Sequence, residues 1–273
     1  MSDTLQYYVR GKISEIHINN PQSLNSFTIP EFVQLAHLFD KADKDETTSI
    51  TLITSSGTFF STGANIKSIS KMVNLTKLDY YEQITSKNIY LVNTILNHKK
   101  LIVVALNGPV IGLSAALVCL MDIIIARKPV ENNSYEPYMQ YPFATIGLVN
   151  ECGVSASLPK RIGITNSLKA VCLAQKISLE TLQTCGFISD VIETDNVDEF
   201  NENVRKQLNG FCDSLANDSI MENKLMIKQN FNHQVNLQIV DESMSGLNRW
   251  INERPQSAFK AMLSKSNHSK GKL

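Results

Sequence analysis

The feature that most constrains this 273-residue chain is an apolar region from Leu101 to Ala126, in which Asp122 is the one charged residue. The region is long enough to cross a membrane, but Asn107-Gly108-Pro109 breaks it with a turn, and Asp122 falls near its end. We therefore predict no membrane span. The region is interpreted as a buried strand (101–106), a turn, a glycine-containing helix that begins near Gly112, and a second strand (122–126).

Strands, loops and helices also alternate before this region. The pattern predicts two further strands and two further helices: a strand at Ile13–Ile18, a helix from Pro30 to about Lys44, a strand at Ile50–Thr54 and a helix from about Leu78 to His98. This alternation is typical of a parallel α/β architecture with sites where strands pass into helices. From about Leu208 no strand pattern remains. We predict a core domain of residues 1–213 and a C-terminal helical region of residues 214–273.

Composition excludes several classes of function. Lys and Arg total 26, as do Asp and Glu, so no positive field favours nucleic acid. Five widely spaced cysteines without a Cys-x-x-Cys pair indicate reduced thiols and no metal site. The Gly-x-Gly-x-x-Gly and phosphate-loop patterns are missing, which disfavours nucleotide cofactors. The N-terminus lacks a secretory signal, so we expect an intracellular protein.

Two loops place small residues where backbone N–H groups could face a ligand: Thr62-Gly63-Ala64 and Gly112-Leu113-Ser114. Free amides at a helix start bind anions, including an oxygen that becomes negative during a reaction. The alternative is that the small residues only form the turn. From the residues alone this second interpretation is favoured.

Glu151 is a candidate catalytic acid or base because it follows an apolar run and precedes a helical pattern. The alternative is an ordinary first-turn acid stabilised by the helix dipole. That dipole would keep its carboxylate ionised, as a base requires. Two other candidates are weaker: Ser114 lacks the second glycine of a nucleophile elbow and an obvious histidine, and Cys152 is more typical of a buried thiol.

Four segments in order resemble the crotonase, or enoyl-CoA hydratase/isomerase, superfamily over roughly residues 8–215. They are an opening strand and loop (16–27), a phenylalanine-to-lysine motif (60–67), a second loop and strand (107–112 and 119–126), and a third loop (141–159). The resemblance implies a crotonase-like (ClpP/crotonase) α/β spiral of repeated ββα units, with a C-terminal helical trimerisation region.

The resemblance also implies a site. The N–H groups of Ala64 and Leu113 match the superfamily's oxyanion hole, and the acyl-CoA binds along the first loop. The resemblance thereby implies substrate binding by six residues: Thr62, Gly63, Ala64, Asn65, Ile66 and Leu113. Asn65 departs from the usual aspartate, which leaves the role of its side chain open. CoA is part of the substrate, so no cofactor is expected.

The acids distinguish members of the superfamily. Hydratases use two glutamates, and the matching positions here are Ala116 and Phe143. Fungal-type peroxisomal enoyl-CoA isomerases carry one glutamate, which matches Glu151. The resemblance therefore implies an isomerase of fatty-acid beta-oxidation, in which Glu151 moves a proton from C2 to C4 and shifts a cis or trans 3-ene bond to trans-2. A dienoyl-CoA isomerase, a catalytically silent acyl-CoA-binding protein and a thioesterase stay open as alternatives.

Partners and location are implied in the same way. Members are commonly trimers or paired trimers, so we expect a homotrimer or homohexamer with the helices after Ser214, including Trp250 and Phe259, between subunits. Lys260 is interpreted as a solvated lysine or as a ligand of a CoA phosphate. Gly271-Lys272-Leu273 approximates the Ser-Lys-Leu address, which predicts a peroxisomal location and binding to the import receptor. The alternative is a frayed basic tail on a cytoplasmic protein.

Overall fold

The computed structural model describes residues 4–131 and 135–270, except the side chains of residues 263 and 265–270. The strands are β1 (Leu5–Arg10), β2 (Ile13–Ile18), β3 (Ile50–Ser55), β4 (Leu101–Leu106), β5 (Val110–Ile111), β6 (Ile123–Lys128), β7 (Tyr138–Gln140), β8 (Ile177–Ser178) and β9 (Asp190–Glu193). The helices are α1 (Ile29–Lys44), α2 (Ile66–Ile69), α3 (Lys77–Tyr80), α4 (Ser86–Leu96), α5 (Gly112–Val118), α6 (Val154–Ile162), α7 (Ile164–Cys172), α8 (Leu179–Thr184), α9 (Val197–Ser214), α10 (Asn217–Ile251) and α11 (Arg254–Lys270).

The main sheet has the strand order β1-β2-β3-β4-β6-β9. Only β1 and β2 pair antiparallel; every other neighbouring pair in this sheet is parallel. A second sheet of order β5-β7-β8 lies beyond the ends of the parallel strands. This arrangement confirms the α/β architecture and the parallel core expected from the sequence.

The sheet is buried on both faces, which explains why β4 is an uninterrupted apolar run. Its side chains alternate between two cores: Ile102 and Val104 belong to the larger one, and Val103 and Ala105 to the smaller one. Helices α1 and α4 cover the larger core and pack on each other. Helix α9 covers the opposite face with Phe200 and other apolar residues.

Two local features differ from the expectation. Strand β1 was not predicted from the sequence; it is an edge strand whose residues after Leu5 are partly or fully exposed. The helix expected from Leu78 to about His98 begins at Lys77 and ends at Leu96. Residues 81–85 within it form a π-helical turn that joins α3 to α4. Such wide turns are frequent at functional sites.

The C-terminal helices pack on the chain's own core. Trp250 and Phe259 are 3% and 4% exposed within a single chain, so the expectation that they pack between subunits is wrong for these two side chains. Tyr80 stacks against Trp250, and Gln256 donates to the Tyr80 hydroxyl at 2.7 Å. Helix α9 ends at Ser214, close to the predicted boundary between residues 213 and 214. The division into two domains stays a prediction.

Helix α10 also presents accessible apolar side chains, among them Leu225, Met226 and Ile227. The homotrimer or homohexamer stays a prediction. Within residues 4–131 and 135–270, every helix is too short or too polar to cross a membrane. The Gly271-Lys272-Leu273 tail lies outside the described residues, so the peroxisomal address and its receptor also stay predictions.

A buried ion cluster attaches α10 to the sheet. Lys224 and Lys228 contact the Asp122 carboxylate at 2.8 Å and 2.9 Å. Lys224 also donates to the backbone oxygen of Lys100 at 2.6 Å. The side chains of Asp122 and Lys224 are 7% and 6% exposed, so removing either charge would leave the other buried without compensation.

We expect Asp122→Asn to lower the free energy of unfolding by about 3 kcal/mol, because it leaves a buried ammonium without its carboxylate. Urea denaturation followed by circular dichroism measures this. Asp190→Asn, at an exposed position, is the control and is expected to cost less than about 0.5 kcal/mol. Equal losses in the two variants would show that the cluster does not stabilise the fold.

Candidate active site

The site is formed where β3 and β4 end, because parallel neighbours release their loops at the same edge of the sheet. The loop after β3 runs alongside the loop after β4. Phe60 N donates to Pro109 O at 3.0 Å, and Ile111 N donates to Ser61 O at 2.9 Å. On its other side the first loop pairs with the segment around Phe27. The two candidate loops are therefore joined by backbone hydrogen bonds.

Ser61 connects three segments through its hydroxyl group. Its Oγ donates to Asn25 O at 2.7 Å and accepts from Gly63 N at 3.1 Å. It also hydrogen-bonds Ser114 Oγ at 2.8 Å. Ser114 is thus buried as a brace between the loops. This position does not support a nucleophilic serine.

Gly63 is required by a close approach of the two loops. A Cβ at this residue would lie 2.7 Å from Ile111 O and 3.1 Å from Leu113 N. Its φ of 78° is also a conformation that favours glycine. Only a residue without a side chain lets the loops come this close.

The amides of Ala64 and Leu113 are left unused by the fold. Within the described residues, no backbone or side-chain atom accepts a hydrogen bond from either N–H. Leu113 lies in the first turn of α5, where an amide has no partner within its own helix. Both residues line the same cavity. The two N–H groups are thus available to a ligand oxygen.

That cavity has a volume of about 270 Å³ and mostly apolar walls. Its walls come from both loops, the π-helical turn and α4, the segment before α6, and the two C-terminal helices. The lining residues are Thr62, Ala64, Ile66, Ile69, Ile84, Lys87, Ile111, Gly112, Leu113, Pro142, Phe143, Ile146, Leu148, Glu151, Trp250, Phe259 and Met262.

The structure brings together most of the residues expected from the sequence. Thr62, Ala64, Ile66, Leu113 and Glu151 all line the cavity. The remaining two of the expected set support the loops instead. Gly63 forms the contact between them, as described above. The binding and catalytic roles of these residues stay predictions.

Asn65 has a structural position. Its side chain accepts from Ser68 N at 3.0 Å and so caps α2, and it donates to Ser26 Oγ at 3.0 Å. An aspartate would provide the same cap but not the donated bond. The departure from the superfamily's aspartate therefore leaves the loop intact.

Glu151 is the one carboxylate among the described residues that line the cavity. Glu151 is half-buried and lines this cavity. Burial raises the pKa of Glu151 to about 7; the nearby Lys87 ammonium opposes this rise and the Glu242 carboxylate adds to it. A base with a pKa near neutrality combines availability with proton affinity.

The expectation that the helix dipole keeps Glu151 ionised is wrong. Helix α6 starts at Val154, and its free amides are already used by another acid. Gly153 N and Ser155 N donate to the Glu242 carboxylate at 2.6 Å and 2.8 Å. Among the described residues, no group donates a hydrogen bond to the side chain of Glu151. Glu242 lies on α10, so the sequence around Glu151 carries no sign of it.

Lys87 was missed because it resembles a solvated helix lysine in sequence. It is 7% exposed, and its Nζ lies 4.6 Å from the centre of the Phe32 ring. Burial lowers its pKa, while the Glu151 carboxylate opposes that change. A signal was present in the helical spacing: Lys87 falls on the apolar side of its helix with Ile84 and Leu91.

Cys152 is an inert neighbour of the candidate base. Its side chain is fully buried, and burial raises the pKa of its thiol well above the ordinary value. This agrees with its interpretation as a buried thiol. In the described part of the chain, no group of three or more His, Cys, Asp or Glu side chains is placed to hold a metal ion.

The arrangement supports one kind of chemistry. Two residues with unused backbone N–H groups line an apolar cavity that is also lined by one carboxylate of near-neutral pKa. Such donors stabilise an oxygen that gains negative charge, and the carboxylate exchanges a proton with carbon or oxygen. The fold and this site together define a crotonase-like protein.

The family follows from comparison with known proteins. The profile of the enoyl-CoA hydratase/isomerase family matches residues 9–260. The chain belongs to this family. Its fold resembles that of an enoyl-CoA hydratase/isomerase from Mycobacterium paratuberculosis, with a TM-score of 0.83, 21% identity, and coverage of 96% of this chain and 99% of the other.

Two relatives from Saccharomyces cerevisiae match along nearly the whole chain. A 3,2-trans-enoyl-CoA isomerase is 30% identical over 97% of this chain and 95% of its own length. A Delta(3,5)-Delta(2,4)-dienoyl-CoA isomerase is 28% identical over 96% of this chain and 97% of its own length. Both relatives are named as isomerases.

We expect Lys87→Met to raise the pKa of Glu151 above about 7, because it removes the positive charge that stabilises the carboxylate. The measurement is a carbon-13 NMR titration of protein labelled at glutamate side-chain carboxyls. The Glu151 signal is assigned by its loss in Glu151→Gln. Lys71→Met, at an exposed position, is the control. A midpoint that stays or falls in Lys87→Met would contradict the electrostatic account.

Proposed function

We propose that this protein isomerises 3-enoyl-CoA thioesters to trans-2-enoyl-CoA thioesters in fatty-acid beta-oxidation, with Glu151 as its single base. The observation that carries the proposal is one carboxylate of near-neutral pKa in the same apolar cavity as the unused N–H groups of Ala64 and Leu113. The Saccharomyces cerevisiae 3,2-trans-enoyl-CoA isomerase, similar along almost the whole chain, supports it.

The chemistry proceeds in two proton transfers. Glu151 removes a proton from C2, and the electrons of the broken C–H bond extend through the C3–C4 double bond and the thioester carbonyl to give a dienolate. The Ala64 and Leu113 amides stabilise its oxygen, each contributing about 10²–10³ in rate. Protonated Glu151 then delivers the proton to C4, and the double bond forms between C2 and C3. A base of this kind contributes about 10²–10⁴.

Substrate binding is proposed along the first loop. Thr62, Ala64 and Ile66 line the cavity together with Leu113, while residues 63 and 65 keep the loop in place. Coenzyme A enters as part of the substrate. The exposed Lys260 on α11 keeps its interpretation as a solvated lysine.

An isomerase fits the cavity better than a hydratase. Adding water requires one carboxylate that takes a proton from the water and a second, protonated one that gives a proton to the carbon. At the two positions that match the glutamates of hydratases, this chain has Ala116 and Phe143, which are 0% and 3% exposed. Phe143 and Ile111 line the cavity with apolar surface and hinder the entry of water to the dienolate.

A dienoyl-CoA isomerase is the second candidate. Relatives of that name from Saccharomyces cerevisiae and Pyricularia oryzae are each 28% identical to this chain. Parallel assays with 3-enoyl-CoA and 3,5-dienoyl-CoA separate the two candidates. Binding of acyl-CoA without conversion of either substrate would instead indicate a silent binding protein, and release of free CoA a thioesterase.

We expect Glu151→Gln to lower the turnover of trans-3-hexenoyl-CoA by about 10²–10⁴, because the amide cannot accept the C2 proton. Ultraviolet absorbance of the conjugated product measures the rate, and calorimetry with hexanoyl-CoA measures binding. Binding should persist. Glu46→Gln, at an exposed position, is the control. Near-normal turnover in Glu151→Gln would remove this residue from the proposed role.

We expect Gly63→Ala to lower turnover by roughly 10²-fold, because its Cβ would push apart the loops that carry the Ala64 and Leu113 amides. Gly186→Ala is the matched control. Gly186 has a similar φ of 73°, but a Cβ there meets nothing within 4 Å. Both variants place alanine at a positive φ and so carry a similar backbone strain, but only the Gly63 variant adds a steric clash with the neighbouring loop. Equal turnover in both would argue against an oxyanion hole between the loops.

A further inference from the structure

Glu242 is a buried acid that the proposed reaction does not yet use. It is 6% exposed and lies on α10, far along the chain from the cavity loops. Its carboxylate accepts from Gly153 N at 2.6 Å, from Ser155 N at 2.8 Å and from Ser155 Oγ. Burial raises the pKa of Glu242, and the three hydrogen bonds from Ser155 and Gly153 oppose that rise by stabilising the ionised form.

Glu242 and Glu151 are close neighbours. Both border a very small enclosed cavity between α4 and α10. Gly246, one helical turn after Glu242, lies where an added Cβ would be 4.0 Å from Glu151 Oε1. Trp250, a further turn along, lines the main cavity beside Glu151. One stripe of α10 therefore faces the candidate base.

The charged and titratable groups around Glu151 come from three elements. Helix α4 presents Lys87, helix α10 presents Glu242, and the adjacent Cys152 is a buried neutral thiol. The two loops and α11 face the cavity with uncharged residues among those described. The charged groups near the Glu151 carboxylate are thus the Lys87 ammonium, of opposite sign, and the Glu242 carboxylate, of the same sign.

We propose that Glu242 is a positioning residue for Glu151: it occupies the first amides of α6 in place of Glu151 and sets a second negative charge beside it, so that Glu151 keeps the proton affinity that a carbon acid requires. The inference rests on the proposed isomerase function. Both effects raise the proton affinity of Glu151. A carboxylate that received the α6 amides would be a weaker base, and so would one without a like charge nearby.

The sign of the effect is testable through pH. Glu151 acts as a base in its ionised form, so turnover should rise with pH and level off above about 7. Burial is the largest cause of its raised pKa, and the charge of Glu242 adds to it. Removing that charge should therefore move the acidic limb to lower pH. The plateau rate should fall because the base is weaker.

The experiment is the pH profile of kcat for trans-3-hexenoyl-CoA with Glu242→Gln. We expect the midpoint of the acidic limb to fall by roughly one pH unit and the plateau kcat to fall by roughly threefold, with KM unchanged. Asp241→Asn removes the neighbouring, exposed acid of the same helix and should leave the midpoint unchanged. A lower kcat at every pH with an unmoved midpoint would mean that Glu242 only supports the structure, and it would overturn the proposal.

A second variant covers the case in which Glu242→Gln does not fold. Ser155→Ala removes the hydroxyl donor to Glu242 but leaves both backbone donors, so the acid holds its charge less firmly. The midpoint should fall in the same direction by a smaller amount. An unmoved or raised midpoint in folded Ser155→Ala would overturn the proposal in the same way.

A direct titration separates this inference from the proposed function. Carbon-13 NMR of labelled glutamate carboxyls follows Glu151 without substrate, in the intact protein and in Glu242→Gln. If the intact protein does not convert 3-enoyl-CoA but the Glu151 midpoint falls in the variant, the function is wrong and the electrostatic relation stands. If conversion occurs but the midpoint does not move, the function stands and the inference is wrong.

Discussion

The backbone contact between the loops after β3 and β4 is the constraint on which the rest of the site depends. The two strands are parallel and adjacent, so their loops leave the sheet side by side. The bond from Ile111 N to Ser61 O and the glycine at position 63 then bring them into contact. Because the loops bond to each other at these points, the amides of Ala64 and Leu113 remain free. A pair of unsatisfied donors is the direct product of how the loops meet.

A second constraint is the burial of charge. A lone carboxylate in an apolar cavity holds a proton too firmly to be ionised near neutral pH, and a strongly stabilised carboxylate is a poor base. Burial raises the pKa of Glu151 to about 7, with the charge of Lys87 opposing that rise and the charge of Glu242 adding to it. Neither contacts it through a hydrogen bond. The charges therefore tune the base without occupying the lone pairs that must accept the proton.

Local sequence patterns predicted the parts of the fold that depend on neighbouring residues. The alternating cores of β4, the helix that starts near Pro30 and the turn before Gly112 all have signals within a few residues. Both loops and Glu151 were candidates from their own residues, but the roles predicted for them came from the order of four segments, which is a property of the family.

The parts that sequence could not predict arise from long-range packing. Glu242 is 89 residues from its partner Gly153, and no spacing rule connects them. Trp250 was expected at a subunit interface because the resemblance places the C-terminal helices between subunits, but the chain folds back and buries it. Lys87 was not identified because lysines are mostly exposed, although its helical spacing places it on the buried side.

These long-range contacts separate two tasks within one chain. The sheet and its loops bring Ala64 and Leu113 to one cavity, on a fold that supports several reactions. The helices that pack over the loops supply Lys87 from one side and Glu242 and Trp250 from the other. They decide how basic Glu151 is and how dry its surroundings are. Specific chemistry in this protein is therefore a property of the helices around the site as much as of the loops that form it.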